Sequence, residues 1–415
     1  MLWADPLCLR PPPDAVIREG VEGALATSAS LIAPGETGSV TLRGRLNRNY
    51  TTRRLSTGRP LVAMNAISLG YIRSLRADLL WFVALPPIAL AIALFFHTEL
   101  PYVAQASISV WITAPHHYAG WVRGYGLEED WSRWKNRLIL GPILLVPSIL
   151  YGSAFVPVTL ALVLLLWDHQ HSLMQQFGFS RIYDFKAGTG APSTRHFDLW
   201  LGIILYGNML LTAPLWSELW IAELYRWDLA LPVETIQQIQ SASWTVMGIC
   251  GVIYLGHLLA SGARGYRINP MKYLFLFSSY ALWYFVSWQD SFLLYQVAHR
   301  IMHGVQYILM VYWYVERKAD RTGETPLLLS HLSLSRYLLL GAVYAVVFHF
   351  STGGNLSLLS FGLINSLQSD SILQFSLEKA TGFYAATAIS AASVCHYYLD
   401  SYIWKVRQPE IQEGL

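Results

Sequence analysis

The chain has 415 residues, of which 54% are hydrophobic and only 13% are charged, with a formal net charge of +3. Soluble globular domains carry roughly 25% charged residues, so this composition excludes an ordinary soluble enzyme and predicts a polytopic membrane protein. The small net charge gives no support to nucleic-acid binding. The 16 tryptophans and 24 tyrosines suit a protein anchored at two membrane interfaces.

The first 63 residues differ in composition from the rest of the chain. They contain three consecutive prolines at positions 11–13, scattered Gly, Ser and Thr, and many arginines, without a sustained apolar period. Such a composition is typical of a disordered or weakly ordered segment. We therefore expect a dispensable N-terminal extension, residues 1–63, followed by a transmembrane helical domain, residues 64–415.

Apolar runs of membrane length recur along the predicted helical domain. They lie at residues 77–97, 101–122, 138–155, 157–179, 198–216, 243–261, 271–289, 291–315, 336–350 and 380–404. If the N-terminus is cytoplasmic, Lys and Arg collect in the cytoplasmic loops, whereas the opposite loop 217–242 holds Arg226 alone. This is a positive-inside pattern. The predicted fold is all-α, a transmembrane helical bundle of about ten spans with both termini cytoplasmic.

Histidines recur in the even-numbered apolar segments, toward their cytoplasmic ends. Buried imidazoles are costly in a membrane helix unless the bundle interior uses them. At about 1.5 Å rise per residue, these histidines fall within one slab of the membrane, which predicts a shared metal site. The candidate metal ligands are His116, His117, His169, His171, His257, His299, His303, His396 and Asp400. His257 stands alone on its segment and is the weakest candidate.

Helical spacing indicates which of these side chains can converge. His396 and Asp400 are four residues apart, so they share one helix face. His169 and His171 lie about 200° apart around the helix, so only one of them can face the interior. His171 shares its face with Asp168, and the carboxylates of Asp168 and Asp400 are candidate ligands or orienting groups in catalysis.

The donor set indicates which metals to expect. Imidazole and carboxylate ligands without thiolate favour iron, zinc, copper or manganese. The ligands are too numerous for one tetrahedral zinc ion. We expect a pair of iron ions, because iron pairs are held inside helical bundles by such side chains. Haem, a proton or ion pathway, and hydrogen-bonded packing of the histidines are the other readings that the sequence leaves open.

One segment carries a resemblance to a known group of enzymes. The run His299-Arg300-Ile301-Met302-His303 is an HxxxH box, and it resembles those of the histidine-rich integral-membrane non-haem di-iron oxygenases, which include desaturases and hydroxylases. The resemblance implies an oxygen-dependent oxidoreductase acting on a lipid-like or other apolar substrate that enters from the bilayer. It implies iron held by His299, His303, His116, His117, His171 and His396, and it makes an electron-transfer protein a candidate partner.

Three further segments, QQFGFSRIYDFKAG, HRIMHGVQY and HYYLDSYIWKVR, resemble parts of an uncharacterised bacterial membrane-protein family. This resemblance makes the bacterial cytoplasmic membrane the expected location. The alternative function is a transporter or channel for transition-metal ions or protons that uses the same His/Asp layer. A scaffold protein is a third class, but it would not require so many histidines at one depth.

Overall fold

The computed structural model describes residues 67–289, 291–322, 333–352, 354, 356–364 and 372–415. The predicted N-terminal extension, residues 1–63, lies outside these ranges. Within them the regular elements are helices, and an isolated bridge between Ile67 and Ile268 is the β-type pairing. The all-α class predicted from the sequence is therefore confirmed.

The helices are defined by their bounds as follows. They are α1 (Leu75–Asp78), a π-helical turn (Leu79–Ala84), α2 (Leu85–Glu99), α3 (Tyr102–Tyr125), α4 (Glu128–Phe155), α5 (Pro157–Ala187), α6 (Thr194–Thr212), α7 (Pro214–Arg226), α8 (Val233–Ala263), α9 (Pro270–Ser287), α10 (Phe292–Thr322), α11 (Leu334–Ser351), α12 (Leu356–Leu359), α13 (Ile372–Ile403) and α14 (Pro409–Gly414).

Each apolar segment predicted from the sequence is occupied by a helix. Prolines mark several of the boundaries, because proline has no amide hydrogen and is tolerated at the first position of a helix. Pro157, Pro214 and Pro270 each begin a helix. At Pro214 the chain bends by 70° between α6 and α7. The fifth predicted segment is thus a bent pair of helices.

Among the described residues, α4, α8, α11 and the continuous α1–α2 run are long and apolar enough to cross a membrane, and the bent α6–α7 pair would be a fifth crossing. These helices expose large apolar side chains. On α8, for example, Val252 is 71% and Leu259 is 76% exposed. Large exposed apolar faces of this kind are stable in lipid rather than in water. The chain is therefore a helical membrane protein.

Helix α10 occupies the centre of the bundle and packs against α2, α3, α9 and α14. Its residues Ala298, Met302 and Gln306 are fully buried. Gly304 allows α3 to approach closely, because a Cβ atom at this position would lie 2.5 Å from Cγ2 of Ile112. The stretch with the HxxxH box is thus surrounded by other helices rather than by lipid.

A buried ionic cluster joins the ends of α5, α6 and α9. The fully buried Lys272 ammonium lies 2.8 Å from Oδ2 of Asp184 and 2.6 Å from Oδ2 of Asp198. Arg181 contacts the same two carboxylates, at 2.6 and 2.7 Å. Two cations matched to two carboxylates balance their charges, which a buried cluster requires. The cluster holds three helices in register near the predicted cytoplasmic side.

Candidate metal centre

Four histidines from four helices meet in the interior of the bundle. His116 comes from α3, His171 from α5, His303 from α10 and His396 from α13, and none is more than 4% exposed. The His116 ring centroid lies 4.4 Å from that of His396 and 4.8 Å from that of His303. The His171 centroid lies 5.0 Å from that of His396 and 5.1 Å from that of His303. The four rings therefore surround one small volume.

The Asp400 carboxylate completes this cluster. Its Oδ2 atom lies 3.6 Å from Nε2 of His396 and 3.9 Å from Nε2 of His171. Its Oδ1 atom accepts a 2.6 Å hydrogen bond from the hydroxyl of Tyr307. One carboxylate oxygen is thus held by a neutral donor, and the other faces the imidazoles.

Two groups of side chains in this cluster have the geometry to hold a metal ion. His116, His171 and His303 form one group, and His171, His396 and Asp400 form the other, with the ligand atoms of each group within 4.8 Å of one another. We call these five residues the His/Asp centre. Because the groups share His171, they belong to one continuous centre.

The hydrogen bonding of the His/Asp centre leaves most imidazole nitrogens unpaired. Among the described residues, both ring nitrogens of His116, His303 and His396 lack a hydrogen-bond partner, as does Nε2 of His171. Buried polar atoms are normally paired, since an unpaired one costs about 1–3 kcal/mol. A metal ion bound by the imidazole lone pairs would remove this cost. The donor set therefore fits a metal of the iron, zinc, copper and manganese group.

Close packing of α13 against α3 brings His396 next to the histidines of the other helices. A Cβ atom at Gly120 of α3 would lie 2.5 Å from Nδ1 of His396. No larger side chain fits at this position unless the His396 ring moves. The helical spacing of His396 and Asp400 then places both on the face of α13 that meets the cluster.

The remaining candidate ligands lie at the edge of the centre or outside it. The His117 ring is 5.3 Å from that of His396, its Nε2 is 3.5 Å from Oγ of Ser393, and its Nδ1 is unpaired among the described residues. His169 turns away from its neighbour His171, with Nδ1 2.8 Å from the Leu165 carbonyl. The helical argument that only one of these two histidines faces inward agrees with this placement.

His299 and His257 have hydrogen-bonded surroundings of their own. Nδ1 of His299 accepts a 2.8 Å hydrogen bond from Nε1 of Trp283, and its Nε2 lies 3.2 Å from Oγ of Ser172. His257 is on α8, stacked on Phe197 at 3.9 Å and bonded to Thr194 at 3.0 Å. His299 stacks on His303 beside the centre, whereas His257 belongs to neither metal-binding group.

Asp168 is adjacent to the centre but bonded to other side chains. Its Oδ1 accepts a 2.7 Å hydrogen bond from Tyr397, and its Oδ2 lies 3.4 Å from Arg300. The Tyr397 ring stacks on His171, with centroids 4.6 Å apart. Asp168 thus orients Tyr397 and, through it, the imidazole of His171.

Sequence reasoning did not single out three residues that orient the centre. They are Tyr307, which bonds Asp400, Tyr397, which packs on His171, and Arg300, which bonds Asp168. The role of Arg300 could have been predicted from its position in a membrane-length apolar segment, because an arginine inside a membrane helix is rare and implies an anionic partner. The roles of the two tyrosines could not have been predicted in this way, since the chain has 24 tyrosines.

The predicted cytoplasmic face lies beyond the centre and is basic. Burial, as the largest effect, and the positive charges of Arg317 and Arg321 together lower the pKa of the Lys186 ammonium to about 8. Arg317 and Arg321 donate hydrogen bonds to backbone carbonyls of Leu415 and Glu413. The C-terminal residues are thereby held against the end of α10.

In comparisons with protein-family models, curated protein sequences and solved structures, the chain matched none.

Proposed function

We propose that this protein is a membrane-embedded non-haem metal oxygenase or desaturase that acts on a lipid-like or other apolar substrate. The observation that supports it is the set of unpaired, buried imidazole nitrogens around Asp400. The proposed metal is a pair of iron ions, the number expected from the candidate ligands in the sequence, and the two ligand groups that share His171 are where the metal would bind. Zinc, copper and manganese are the alternative metals.

The proposed setting is a bundle of about ten membrane spans with both termini cytoplasmic, in the bacterial cytoplasmic membrane. The helices with less apolar composition, α3, α5, α9, α10 and α13, would cross the membrane in the interior. Four of them carry the buried polar residues of the centre, and the apolar helices around them would cover that polarity. The positive-inside distribution of Lys and Arg supports the orientation.

Iron in this centre would supply oxygen activation and the oxidation of a C–H bond. The protein side chains perform the other tasks. His116, His171, His303 and His396 offer nitrogen ligands in a site closed to water, since each is at least 96% buried. Tyr307 holds Asp400 in one orientation by donating a hydrogen bond to Oδ1, and orienting contacts of this kind tune metal ligands. An electron-transfer protein at the cytoplasmic face is the proposed source of reducing equivalents.

A transporter of transition-metal ions or protons is the second candidate function. The feature that favours it is the Arg300–Asp168 ion pair next to the imidazoles, because paired charges inside membrane helices often mark ion pathways. The two candidates differ in one simple respect. An enzyme consumes oxygen with a lipid substrate, whereas a transporter changes the metal or proton content of a sealed vesicle.

The first test of the proposal is the metal content of the detergent-purified protein, measured by mass spectrometry beside the His303→Ala and His396→Ala variants. We expect about two irons per chain, as in helical carboxylate–histidine centres, and loss of iron from both variants. His257→Ala is the matched control, because its imidazole lies outside the centre, and it should keep its iron. The absence of stoichiometric metal after reconstitution with each candidate metal would refute the proposal.

If iron is present, oxygen uptake with lipid substrates is the second measurement. Wild-type protein supplied with a reductant should consume oxygen in the presence of an apolar substrate, and His303→Ala should not. Metal transport into proteoliposomes without oxygen uptake would favour the transporter instead.

A further inference from the structure

Two basic and two aromatic side chains lie together where the first third of α4 meets the end of α13. They are Trp134 and Arg137 of α4, Tyr402 of α13, and Lys405, which follows α13. The Trp134 and Tyr402 ring centroids are 5.0 Å apart, and the Arg137 guanidinium carbon lies 5.1 and 5.4 Å from them. The Lys405 ammonium nitrogen lies 6.0 Å from the Trp134 centroid. We call these four residues the basic–aromatic cluster.

The two cations of the cluster have no carboxylate partner among the described residues. One turn earlier on α4, Arg133 is paired with Glu129 at 3.2 Å. No acidic residue lies three or four positions from Arg137 on either side, so α4 supplies no such partner for it. Arg137 and Lys405 contact the same indole ring, and their like charges repel each other unless an anion lies near both.

The polar atoms of the cluster require a hydrogen-bond acceptor. Arginine, lysine and tryptophan side chains donate hydrogen bonds and cannot accept them. Nε1 of Trp134 and the hydroxyl of Tyr402 are buried and have no partner in the part of the chain that the structure describes. Tyr402 is only 2% exposed, and buried polar atoms are normally paired. An oxyanion with several acceptor oxygens, such as a phosphate group, would match both the charge and the donors.

The position of the cluster on α4 indicates where this anion would come from. Helix α4 is apolar enough to cross a membrane, and Arg137 is exposed on it. Leu140 and Leu144, three and seven residues later on the same side of the helix, are 55% and 65% exposed. Tryptophan and basic side chains at such a boundary lie at the level of the lipid headgroups. An anion at the cluster would therefore lie directly beside acyl chains, as the phosphate of a phospholipid does.

We propose that the basic–aromatic cluster binds the phosphate group of an anionic phospholipid. Arg137 and Lys405 neutralise its charge, and the Trp134 indole and the Tyr402 hydroxyl donate hydrogen bonds to its oxygens. Basic pockets between membrane helices bind lipid headgroups in this way. The site is separate from the metal centre, and it does not depend on the proposed oxygenase activity. The bound lipid would hold α4 against the end of α13, the helix that brings a histidine and a carboxylate to the His/Asp centre.

The test is native mass spectrometry of the full chain in detergent, titrated with phosphatidylglycerol or with phosphatidylcholine, whose headgroup is neutral overall. We expect the wild type to bind phosphatidylglycerol more tightly. Arg137→Gln and Lys405→Gln should each weaken this binding roughly fivefold, and the double variant roughly thirtyfold, because each removes one charge beside the phosphate. Tyr402→Phe keeps the ring but removes the unpaired hydroxyl, and it should also weaken binding.

The matched control is Lys135→Gln. Lys135 is exposed on the same helix and carries the same charge, but it lies about 200° around α4 from Arg137. This variant should bind phosphatidylglycerol like the wild type. An equal loss in the control and in the cluster variants, unchanged binding by the double variant, or equal affinity of the wild type for both lipids would overturn the proposal.

Inorganic phosphate is the third probe, and it distinguishes a lipid headgroup from free phosphate. Thermal unfolding of the wild type and of the double variant is measured in detergent with either phosphatidylglycerol or inorganic phosphate. We expect phosphatidylglycerol to raise the unfolding temperature of the wild type alone, and inorganic phosphate at the same concentration to raise neither. Equal stabilisation of the wild type by inorganic phosphate would show that the assignment to a lipid is wrong.

Discussion

Two histidines one turn apart on α10 differ in what surrounds their ring nitrogens. His299 uses both nitrogens in hydrogen bonds with Trp283 and Ser172, whereas both nitrogens of His303 are unpaired among the described residues. An imidazole that already donates and accepts has no lone pair left for a metal. We infer that the HxxxH box contains one ligand, His303, and one residue that supports it by stacking.

This difference predicts the outcome of two substitutions in the box. His303→Ala should lose the bound metal, whereas His299→Gln should retain it. The His299→Gln protein should unfold more easily, by about 1–3 kcal/mol, because a hydrogen bond of the buried Trp283 is weakened or lost. Metal content and thermal unfolding in detergent measure the two effects separately. Equal metal loss in both variants would show that His299 is a ligand.

The Tyr307 hydroxyl predicts a second effect at the residue scale. Tyr307→Phe removes the hydrogen bond to Asp400 without changing the ring, so metal affinity should fall roughly 10–100-fold, as is usual when an orienting contact of a ligand is lost. Competition with a metal chelator gives the affinity. Tyr337→Phe is the control, because the Tyr337 hydroxyl is also buried but makes no hydrogen bond among the described residues. If both variants bind metal like the wild type, the orienting role of the Tyr307 hydroxyl is contradicted.

At the scale of elements, the centre depends on how closely α3 approaches α10 and α13. Gly120 and Gly304 are the points of contact, since a Cβ atom at either would lie 2.5 Å from a neighbouring side chain. Glycine is costly in a helix interior, so its presence at two crossings indicates that close packing outweighs helix propensity. The positions of these glycines determine which helices can bring their histidines together.

We therefore expect Gly120→Ala to disturb the centre through packing alone. The new methyl group would push the His396 ring away, destabilise the fold by about 1–3 kcal/mol and lower metal content. Gly178→Ala is the matched control on α5, a helix of the same centre, because no atom lies within 4 Å of its added methyl group. That variant should be as stable as the wild type or up to about 1 kcal/mol more stable. Thermal unfolding measures the stability of both variants, and metal analysis measures their metal content. Equal stability and equal metal content in the two variants would contradict the prediction.

At the scale of the whole molecule, apolar helices with exposed faces surround helices that carry buried polar groups. Helix α8 exposes Val252 and Leu259, whereas α10 buries Gln306 and both of its histidines. Lipid stabilises the outer faces, and the protein interior satisfies or uses the inner groups. This division explains why α10 and α3 are less apolar than their neighbours although they lie in predicted spans.

The predicted topology can be tested by cysteine labelling of intact cells with a membrane-impermeant reagent. In a chain whose own cysteines are replaced, a cysteine at Leu231 should be labelled from outside. A cysteine at Arg264, at the other end of α8, should be labelled only after permeabilisation. The reverse pattern would contradict the proposed orientation, and labelling of both sites in intact cells would show that α8 does not cross the membrane.

Much of the fold and part of the centre could be predicted from the sequence. Apolar runs and prolines indicated the helices, and residue spacing indicated that His396 would lie with Asp400 and that His171 and His169 would diverge. These features depend on helical periodicity, which is local and present in the sequence itself.

Only the tertiary structure decided which side chains from different helices meet. It placed His116, His171, His303 and His396 around one volume, and it gave His299 partners from α9 and α5. It also left His257 on a peripheral helix against Phe197. The physical reason is that a helix presents several faces, and the choice of neighbour for each face depends on the packing of residues far apart in the chain.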